Sequence, residues 1–245
     1  MEIEAGDGPR LYDELAGWFH LLTSPAEYAE EASAILGLLR ANVDGPLETL
    51  LELGSGGGNT ASHLRASLRL TLTDVSAPML EVSRALNPDC EHIVGDMRSL
   101  RLGRAFDAVL IHDAITYMTT PEDLRAAVET AFVHVRPGGA AVFAPDRVLE
   151  SFEPETQHGG HDGDGRALRY LEWTYDPDTA DTLYVTDFAL LLREGPDDVH
   201  ARYERHVMGL FPRATWLDIL RDVGFDPASI VDAWGRDVFI GRRHG

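Results

Sequence analysis

The feature that most constrains the fold is a short apolar run that leads directly into a loop rich in glycine. Residues 50–53 are apolar except for Glu52, and glycine follows at positions 54, 56, 57 and 58. A run of this length that ends at glycines is typical of a buried strand in a parallel sheet. Glycine has no Cβ, so the backbone N–H groups of such a loop can approach a ligand closely. The stretch therefore predicts a strand followed by a ligand-binding loop.

A second apolar run, residues 70–72, follows about twenty residues later, as in a nucleotide-binding βαβ unit. It ends at Asp74, where a carboxylate can accept hydrogen bonds from ribose hydroxyls. The glycine spacing distinguishes a dinucleotide-binding loop from other nucleotide-binding loops. A dinucleotide fingerprint, G-x-G-x-x-G, would need glycine at the position of Asn59, whereas the loop has the pattern G-x-G-x-G. This spacing disfavours a nicotinamide-dependent dehydrogenase.

The loop with its preceding acid, residues 52–58, resembles motif I of the class I S-adenosylmethionine (SAM) methyltransferases. Further segments match that family in the same order. They are the ribose-acid segment at 73–80, the adenine-reading segment at 95–97, the fourth strand at 106–109 and the turn at 136–139. The resemblance implies an α/β fold, Rossmann-like, with a seven-stranded, mostly parallel sheet and helices on both faces. It also implies SAM as the cofactor and S-adenosyl-L-homocysteine as its product.

The resemblance further implies a set of cofactor-binding residues. Glu52 would contact the loop backbone or the ammonium group of SAM, and Asp74 would hold the ribose. Met79 would lie against the adenine, with an ordinary core methionine as the alternative. Tyr12 would lie near the methionine end of SAM, with a packed aromatic as the alternative. The full predicted set is Tyr12, Glu52, Gly54, Ser55, Gly56, Gly58, Asp74, Val75, Met79, Asp96, Met97 and His112.

The core pattern alternates strands with amphipathic helices, which predicts a parallel sheet covered on both faces. One helix is predicted over residues 10–22. Ligands of such sheets bind at the carboxyl ends of the strands. Asp74, Asp96, His112 and Asp146 each follow a predicted strand. We therefore expect these side chains to meet along one edge of the sheet, beside the glycine loop.

After residue 146 the pattern changes to three long alternating runs with turns rich in glycine, proline and aspartate. This pattern predicts antiparallel strands. We interpret residues 147–211 as an antiparallel cap or lid over the acceptor site, and residues 1–146 with 212–245 as the SAM-binding core. Residues 157–165 are predicted to form a flexible polar loop. The predicted substrate-binding residues, whose aromatics could equally serve packing, are Asp146, His158, Tyr170, Trp173 and His206.

The catalytic candidates follow the fourth strand, beside the expected position of the methyl group: His112, Asp113 and Tyr117. Methyl transfer depends mainly on positioning, and a base is needed only where the acceptor arrives protonated. An imidazole has an unperturbed pKa near 6.5, so His112 is the first candidate for that base. Alternative bases lie on the cap or its loop: His158, His161 and His206.

Composition narrows the partners and the cellular compartment. The formal net charge is −20, and all 21 basic residues are arginine; such a chain repels nucleic acids and anionic membranes. One cysteine, Cys90, cannot form an intrachain disulfide and suits a cytoplasmic protein. We expect no metal, because the ligands at 158–162 lie in a glycine-rich segment unlike a helix-borne site. We keep a homodimer as an expectation for the assembly.

The leading hypothesis is a SAM-dependent methyltransferase that methylates N or O of a small molecule. The layout most resembles the amino-sugar N,N-dimethyltransferases of bacterial secondary metabolism, although residues 112–115 differ from the small polar residues expected there. The alternative is a protein of the same fold that binds SAM or its product but performs another reaction, or binding alone, because folds do not determine function.

Overall fold

The structure is a computed structural model and describes residues 10–245. Twelve strands follow one another along the chain: β1 (Thr49–Leu53), β2 (Arg69–Asp74), β3 (Glu91–Val94), β4 (Phe106–Ile111), β5 (Val135–Phe143), β6 (Glu155–Gly159), β7 (Asp162–Gly163), β8 (Arg166–Tyr175), β9 (Leu183–Glu194), β10 (Asp198–Gly209), β11 (Asp226–Val231) and β12 (Asp237–Arg242). The α-helices are α1 (Phe19–Leu22), α2 (Ala29–Asn42), α3 (Asn59–Leu64), α4 (Ala77–Leu86), α5 (Pro121–His134) and α6 (Arg213–Val223).

The larger sheet has seven strands in the order β11-β12-β5-β4-β1-β2-β3. Strands β1 to β5 run parallel, and β12 pairs antiparallel with both β5 and β11. Helices α5 and α6 cover one face, and α2 and α3 cover the other. The predicted α/β fold with a seven-stranded, mostly parallel sheet is confirmed.

The strand before the glycine loop explains the apolar run of the sequence. Leu51 and Leu53 pack into the core beneath α5 and α6, whereas Leu50 packs into the core on the opposite face. Alternate residues of a strand point to opposite faces. Because both faces are covered, every leucine of β1 is fully buried, as expected of a central parallel strand.

Side-chain caps set the starts of the helices that flank the cavity described below. The Ser76 hydroxyl oxygen accepts a hydrogen bond from the N–H of Met79 at 3.1 Å, so α4 starts directly after β2. The Thr120 hydroxyl accepts from the N–H of Asp123 at 3.1 Å at the start of α5. Such caps satisfy N–H groups that the first turn leaves without partners.

The smaller sheet is antiparallel, in the order β10-β9-β8-β6, with β7 also paired to β8. The three long strands of the predicted cap are present. The predicted flexible loop is wrong in part, because Glu155–Gly159 forms an edge strand against β8 and Asp162–Gly163 pairs beyond it. Polar side chains do not prevent edge pairing, since the ladder uses backbone groups and one face remains in solvent.

The predicted single helix over residues 10–22 is also wrong. The segment forms two short 3₁₀ turns, Arg10–Tyr12 and Ala16–Trp18, before the four-residue α1. Leu11 and Leu15 pack against three leucines of β8 and β9, whereas Phe19 covers the glycine loop. The apolar residues thus serve two different surfaces, and packing overrides the helical pattern.

Residues 1–9 of the predicted core lie outside the part of the chain that the structure describes. The division into a core (1–146 with 212–245) and a cap (147–211) remains a prediction. Within residues 10–245, no helix combines the length and the apolar character needed to cross a bilayer.

Candidate active site

A cavity of about 1290 Å³ lies between the carboxyl edge of the parallel strands and the cap sheet. The core contributes the glycine loop and several strand-end acids, and the cap contributes residues of β6, β8, β9 and β10. The predicted residues that line it are Tyr12, Gly54, Gly56, Asp74, Val75, Met79, Asp96, Met97, Asp113, Tyr117, Asp146 and His206. The residues predicted for the site that do not line it are Glu52, Ser55, Gly58, His112, His158, Tyr170 and Trp173.

Asp74 organises the glycine loop. Its Oδ2 accepts a hydrogen bond from the N–H of Gly56 at 2.9 Å, and its Oδ1 accepts from the N–H of Ser76 at 2.8 Å. Gly56 has a φ of 52°, in the left-handed region that favours glycine. Burial raises the pKa of Asp74, and the two backbone N–H groups oppose this rise. The carboxylate therefore joins the end of β2 to the loop and faces the cavity.

Gly54 is required by close packing at the rim. A Cβ at this position would lie 2.4 Å from the Cβ of Ala114 and 2.8 Å from the Cε of Met97. Gly58 has a different role, because a Cβ there would lie 2.4 Å from the Ser83 hydroxyl oxygen and 2.3 Å from the Asn87 amide. Gly58 therefore permits the packing of α4, and its predicted cofactor contact is not supported.

Glu52 and Ser55 lie behind the loop, in the protein interior. Glu52 is 2% exposed, and its Oε2 has no hydrogen-bond partner among the described residues. The hydroxyl oxygen of Ser55 is likewise buried and has no described partner. Burial raises the pKa of Glu52 to about 8, because an isolated carboxylate is costly to bury in its charged form. Buried polar atoms without partners suit a site that a ligand completes.

The predicted adenine end contains an ion pair. Arg98 donates to both carboxylate oxygens of Asp96, from Nε to Oδ1 at 3.0 Å and from Nη2 to Oδ2 at 2.7 Å. These hydrogen bonds hold the pKa of Asp96 below its usual range. Met79, 1% exposed, forms the apolar wall nearest to Gly56. This end of the cavity thus combines a charged carboxylate with an apolar surface.

His112 does not lie where a base is expected, which corrects the first catalytic prediction. Its Nε2 lies 2.7 Å from Oε1 of Glu31, and its Nδ1 lies 3.4 Å from Oδ1 of Asp113. Burial acts to lower the pKa of His112, but the two carboxylates outweigh it and raise that pKa well above the usual value. Both ring nitrogens then carry protons and face acids. A charged imidazole with both nitrogens occupied cannot accept a proton from a substrate.

Glu31 and Arg236 complete this ion cluster behind the rim. Arg236 donates to Glu31 and, at 2.8 Å, to Oδ2 of Asp232. Burial acts to raise the pKa of Glu31, but His112 and Arg236 lower it to about 2. Glu31 was not a predicted site residue, because it lies on α2, 81 residues before His112 in the sequence.

The rim retains two acids that face the cavity. Burial and the neighbouring Asp113 raise the pKa of Asp146 to about 7. Burial also acts to raise the pKa of Asp113, but His112 lowers it. Two close carboxylates seldom ionise together without a compensating cation. Three cations, His112, Arg147 and Arg236, oppose this rise in the pKa of Asp146.

The opposite wall contains a row of hydrogen-bonded rings. The hydroxyl oxygens of Tyr12 and Tyr117 lie 2.8 Å apart, and the Tyr117 oxygen lies 2.6 Å from Nδ1 of His206. The ring of Phe188 packs 5.0 Å from the His206 ring. Burial raises the pKa of both tyrosines, so their hydroxyls stay neutral. Tyr12 thus belongs to the tyrosine–histidine wall, and its carbonyl oxygen also accepts from the Ser76 hydroxyl beside Asp74, so its predicted cofactor contact stays a prediction.

Three predicted substrate-binding residues do not reach the cavity. His158 and Trp173 point away from it, because alternate residues of a strand face opposite sides; Trp173 is 54% exposed. Tyr170 shares the inner face with Glu172 and Thr174 but packs beside Leu11 in a separate core. The inward residues that the sequence analysis missed include Glu172, Thr174, Thr186 and Phe188. They lie on the same face as His206, because Thr186 of β9 pairs with His206, Thr174 of β8 pairs with Thr186, and every second residue of a strand shares a face.

The segment weighed as a metal site is dispersed. His161 Nε2 lies 3.3 Å from Oε1 of Glu27, and Asp162 pairs with Arg169 at 2.7 Å. His158 lies on the outer side of β6. Across residues 10–245 no group of three or more His, Cys, Asp or Glu side chains has a metal-binding arrangement.

Comparison with known proteins shows what part of the chain resembles. Residues 50–139 match the family described as a methyltransferase domain. The dTDP-3-amino-3,4,6-trideoxy-alpha-D-glucopyranose N,N-dimethyltransferase of Streptomyces venezuelae is 36% identical over 128 residues, which cover 51% of this chain and 54% of that protein. The chain thus spans about half of the length of that curated relative.

Two solved structures share the fold across both sheets. DesVI of Streptomyces venezuelae superposes with a TM-score of 0.82 at 24% identity, covering 99% of this chain and 100% of its own. SAM-bound CalS10, an amino pentose methyltransferase from Micromonospora echinaspora, superposes with a TM-score of 0.76 at 23% identity, covering 88% and 91%. The resemblance inferred from the glycine spacing is confirmed. Residues 50–139 thus resemble a methyltransferase domain, and the chain shares the Rossmann-like fold of DesVI and CalS10.

Proposed function

We propose that this chain is a SAM-dependent methyltransferase that methylates the nitrogen of a small-molecule amine. One observation carries the proposal: a single cavity has a glycine loop with Asp74 at one end and acids with hydrogen-bonded rings at the other. The first end suits a nucleoside, and the second suits a polar acceptor. A cleft with both features is the arrangement that a two-substrate transfer needs.

The residues present fit SAM. Gly54 and Gly56 leave space for the cofactor, and Asp74 would accept from its ribose hydroxyls. The unpartnered oxygen of Glu52 supports a role for this acid near the cationic amino-acid end. Asp96 and Met97 line the part of the cavity proposed for the adenine. Bound SAM would supply a methyl group on a sulfonium; the acceptor nitrogen takes the methyl, the sulfur keeps the electrons of the broken bond, and one N–H proton leaves.

The charges of the wall favour an amine over a hydroxyl acceptor. Asp113, Asp146 and Glu172 all face the cavity from its acceptor side. Burial raises the pKa of Glu172, and a cation nearby would favour its ionised form. An ammonium group entering the cavity would therefore find carboxylates, and these would hold it before it loses its proton. The Streptomyces venezuelae relative is an N,N-dimethyltransferase of an amino sugar, which supports an amino sugar as a first acceptor to test.

Calorimetry with SAM and S-adenosyl-L-homocysteine tests the cofactor half of the proposal. Asp74→Ala should weaken binding by about 1.5–3 kcal/mol, since a hydrogen bond to a charged group is lost. Asp89→Ala removes an exposed carboxylate, 88% accessible, outside the cavity, and should leave the affinity unchanged. Absence of binding to the wild type would reject the cofactor. Equal affinity for both variants would reject the role of Asp74.

Mass spectrometry of acceptors incubated with SAM and the enzyme tests the reaction. We expect a gain of one or two methyl groups on an amine and no gain on the matched alcohol. Tight SAM binding with no methyl consumed across amines and alcohols would favour the alternative, a binding protein with this fold. Native mass spectrometry of the same sample would test the expected homodimer.

A further inference from the structure

A buried acid extends the tyrosine–histidine row out of the cavity and into the cap. Nε2 of His206 lies 3.1 Å from Oε2 of Glu204, which also accepts from the N–H of Leu11 at 3.1 Å. Glu204 is 6% exposed and His206 is 2% exposed. His206 lines the cavity, whereas Glu204 does not. The hydrogen-bonded chain therefore has one open end, at Tyr12 and Tyr117, and one closed end, at Glu204.

The chemistry of the partners determines the direction of this chain. Oε2 of Glu204 already accepts from the N–H of Leu11, and a carboxylate that accepts from Nε2 as well assigns the proton of this hydrogen bond to Nε2 of His206. Nδ1 of the neutral ring then accepts from the Tyr117 hydroxyl, and the Tyr117 oxygen accepts from the Tyr12 hydroxyl. Each donor has one acceptor in this arrangement. This tautomer leaves lone pairs of Tyr12 as the acceptor that faces the cavity.

We infer that Glu204 is a positioning residue for proton removal, and that His206 receives the proton of the acceptor ammonium through the two tyrosine hydroxyls. The inference rests on the proposed methylation of an amine. The ammonium nitrogen gives a proton to the Tyr12 oxygen, Tyr12 passes its own proton to Tyr117, and Tyr117 passes its own to Nδ1 of His206. One proton and one positive charge thus move from the nitrogen to the imidazole, and the imidazolium later returns the proton to solvent.

Glu204 gives this step its driving force. A carboxylate beside Nε2 holds the ring in the tautomer that accepts at Nδ1 and stabilises the imidazolium that forms, the logic of an acid–histidine–hydroxyl triad. Oε1 of Glu204 has no hydrogen-bond partner among the described residues. A buried carboxylate with one free oxygen is costly, which is not expected of a purely structural group. Glu172 on β8 also faces this imidazole and interacts with it electrostatically.

The first experiment needs no turnover. Nitrogen-15 NMR of the imidazole rings in the cofactor-free protein reports which ring nitrogen carries the proton, and the resonances of His206 are assigned by their loss in His206→Gln. We expect the Nε2–H tautomer in the wild type. An Nδ1–H tautomer would overturn the inference, because Tyr117 could then no longer donate to His206.

The second experiment compares methylation by the wild type and Glu204→Gln across pH. We expect kcat/KM to fall by roughly 100-fold near neutral pH, the range of a general acid–base contribution. The defect should shrink as pH rises above the pKa of the acceptor amine, because a neutral amine needs no base. A loss of equal size at every pH would assign Glu204 to packing alone and overturn the inference.

Matched controls distinguish an effect on the hydrogen-bonded residues, Tyr12 to Glu204, from an effect on the stability of the cap. Asp187→Asn neutralises a cap carboxylate that pairs with Arg205 at 2.8 Å and lies outside the cavity; it should keep the wild-type pH profile. SAM affinity should be unchanged in Glu204→Gln. If Glu204→Gln does not fold, His206→Gln should give the same pH-dependent loss, and a uniform loss would overturn the inference. An inactive wild type that binds SAM would instead reject the proposed function itself.

Discussion

His112 and His206 are both buried, both lie beside a carboxylate, and both were candidates for a catalytic base. His112, behind the rim of the core sheet, faces acids at both ring nitrogens, Glu31 at 2.7 Å and Asp113 at 3.4 Å. His206, on the inner face of the cap, faces an acid at one nitrogen and the Tyr117 hydroxyl at the other. The partner of the second nitrogen decides the difference: in His112 it is a second acid, and in His206 it is a hydroxyl that can donate a hydrogen bond to the ring.

The comparison shows that position after a strand is a poor guide to a base. The strand end placed His112 correctly beside the site, but its two acids raise its pKa, so the ring stays protonated and cannot accept a further proton. His206 lies in an antiparallel strand with no recognisable motif. Its partners, which come from another strand end and from its own strand, give it the properties that the reaction needs.

Removing His112 should have the largest effect, on stability. His112→Ala removes the cation that faces Asp113 and one of the two cations that face Glu31, and breaking a buried ion pair costs about 3–5 kcal/mol. The raised pKa of His112 makes its contribution complete below the unfolded value of about 6.5 and lost as pH rises through the higher folded value. Urea unfolding should therefore show a difference from wild type that is largest near pH 6 and shrinks in alkali.

The control for this variant is His200→Ala, which removes an exposed histidine paired with Asp198 at 2.9 Å. An exposed pair contributes about 0–1 kcal/mol. Similar losses for both variants, or a loss in His112→Ala that does not depend on pH, would contradict the cationic role of His112.

On the cap side of the comparison, Tyr117→Phe should lower the turnover rate. The change removes the hydroxyl that joins the cavity to His206 and keeps the ring that packs there. We expect kcat to fall about 100-fold, with SAM affinity unchanged. Rapid-quench measurement of a single turnover checks this. Tyr203→Phe, which removes a hydroxyl bonded to Asp187 at 2.6 Å outside the cavity, is the control; an equal loss there would assign the effect to the cap sheet as a whole.

On the core side of the comparison, Glu52→Gln should change how the stability of the protein depends on pH. The pKa of Glu52 is raised to about 8, so the folded protein keeps a proton that the unfolded chain loses above its lower pKa. The stability of the wild type therefore falls with rising pH across this window, and Gln removes that fall. We expect Glu52→Gln to gain about 2 kcal/mol over wild type between about pH 5 and about pH 8.

Thermal unfolding at several pH values measures this gain, and Glu48→Gln, an exposed acid near the start of the same strand, should show none. SAM binding should weaken in Glu52→Gln despite the higher stability. This pattern is expected where a site keeps an unsatisfied group for its ligand. A constant difference at all pH values would mean that Glu52 is ionised in the folded protein.

Trp173→Ala should have the smallest effect. Trp173 lies on the outer face of the cap, so KM should stay within about twofold and stability within about 0.5 kcal/mol, as for most exposed substitutions. Phe188→Ala, on the inner face beside His206, should raise KM clearly. Steady-state kinetics with an amine acceptor distinguish the two. A raised KM for Trp173→Ala would contradict the assignment of the two faces.

The sequence by itself determined the core sheet and its glycine loop. The information is local there: the apolar run of β1, the left-handed glycines and the acid at Asp74 lie within one βαβ unit. Such features depend on backbone conformation and strand burial, which neighbouring residues specify.

Only the tertiary structure decided which residues form the acceptor side. His112 meets Glu31 across 81 positions, and Tyr117 meets His206 across 89. The protonation of each histidine depends on these distant partners, because burial and neighbouring charges act through space and not along the chain. The register of the cap strands decided which side chains face inward, and a shift of one residue reverses every side chain. Chemistry set by such long-range contacts cannot be derived from local patterns.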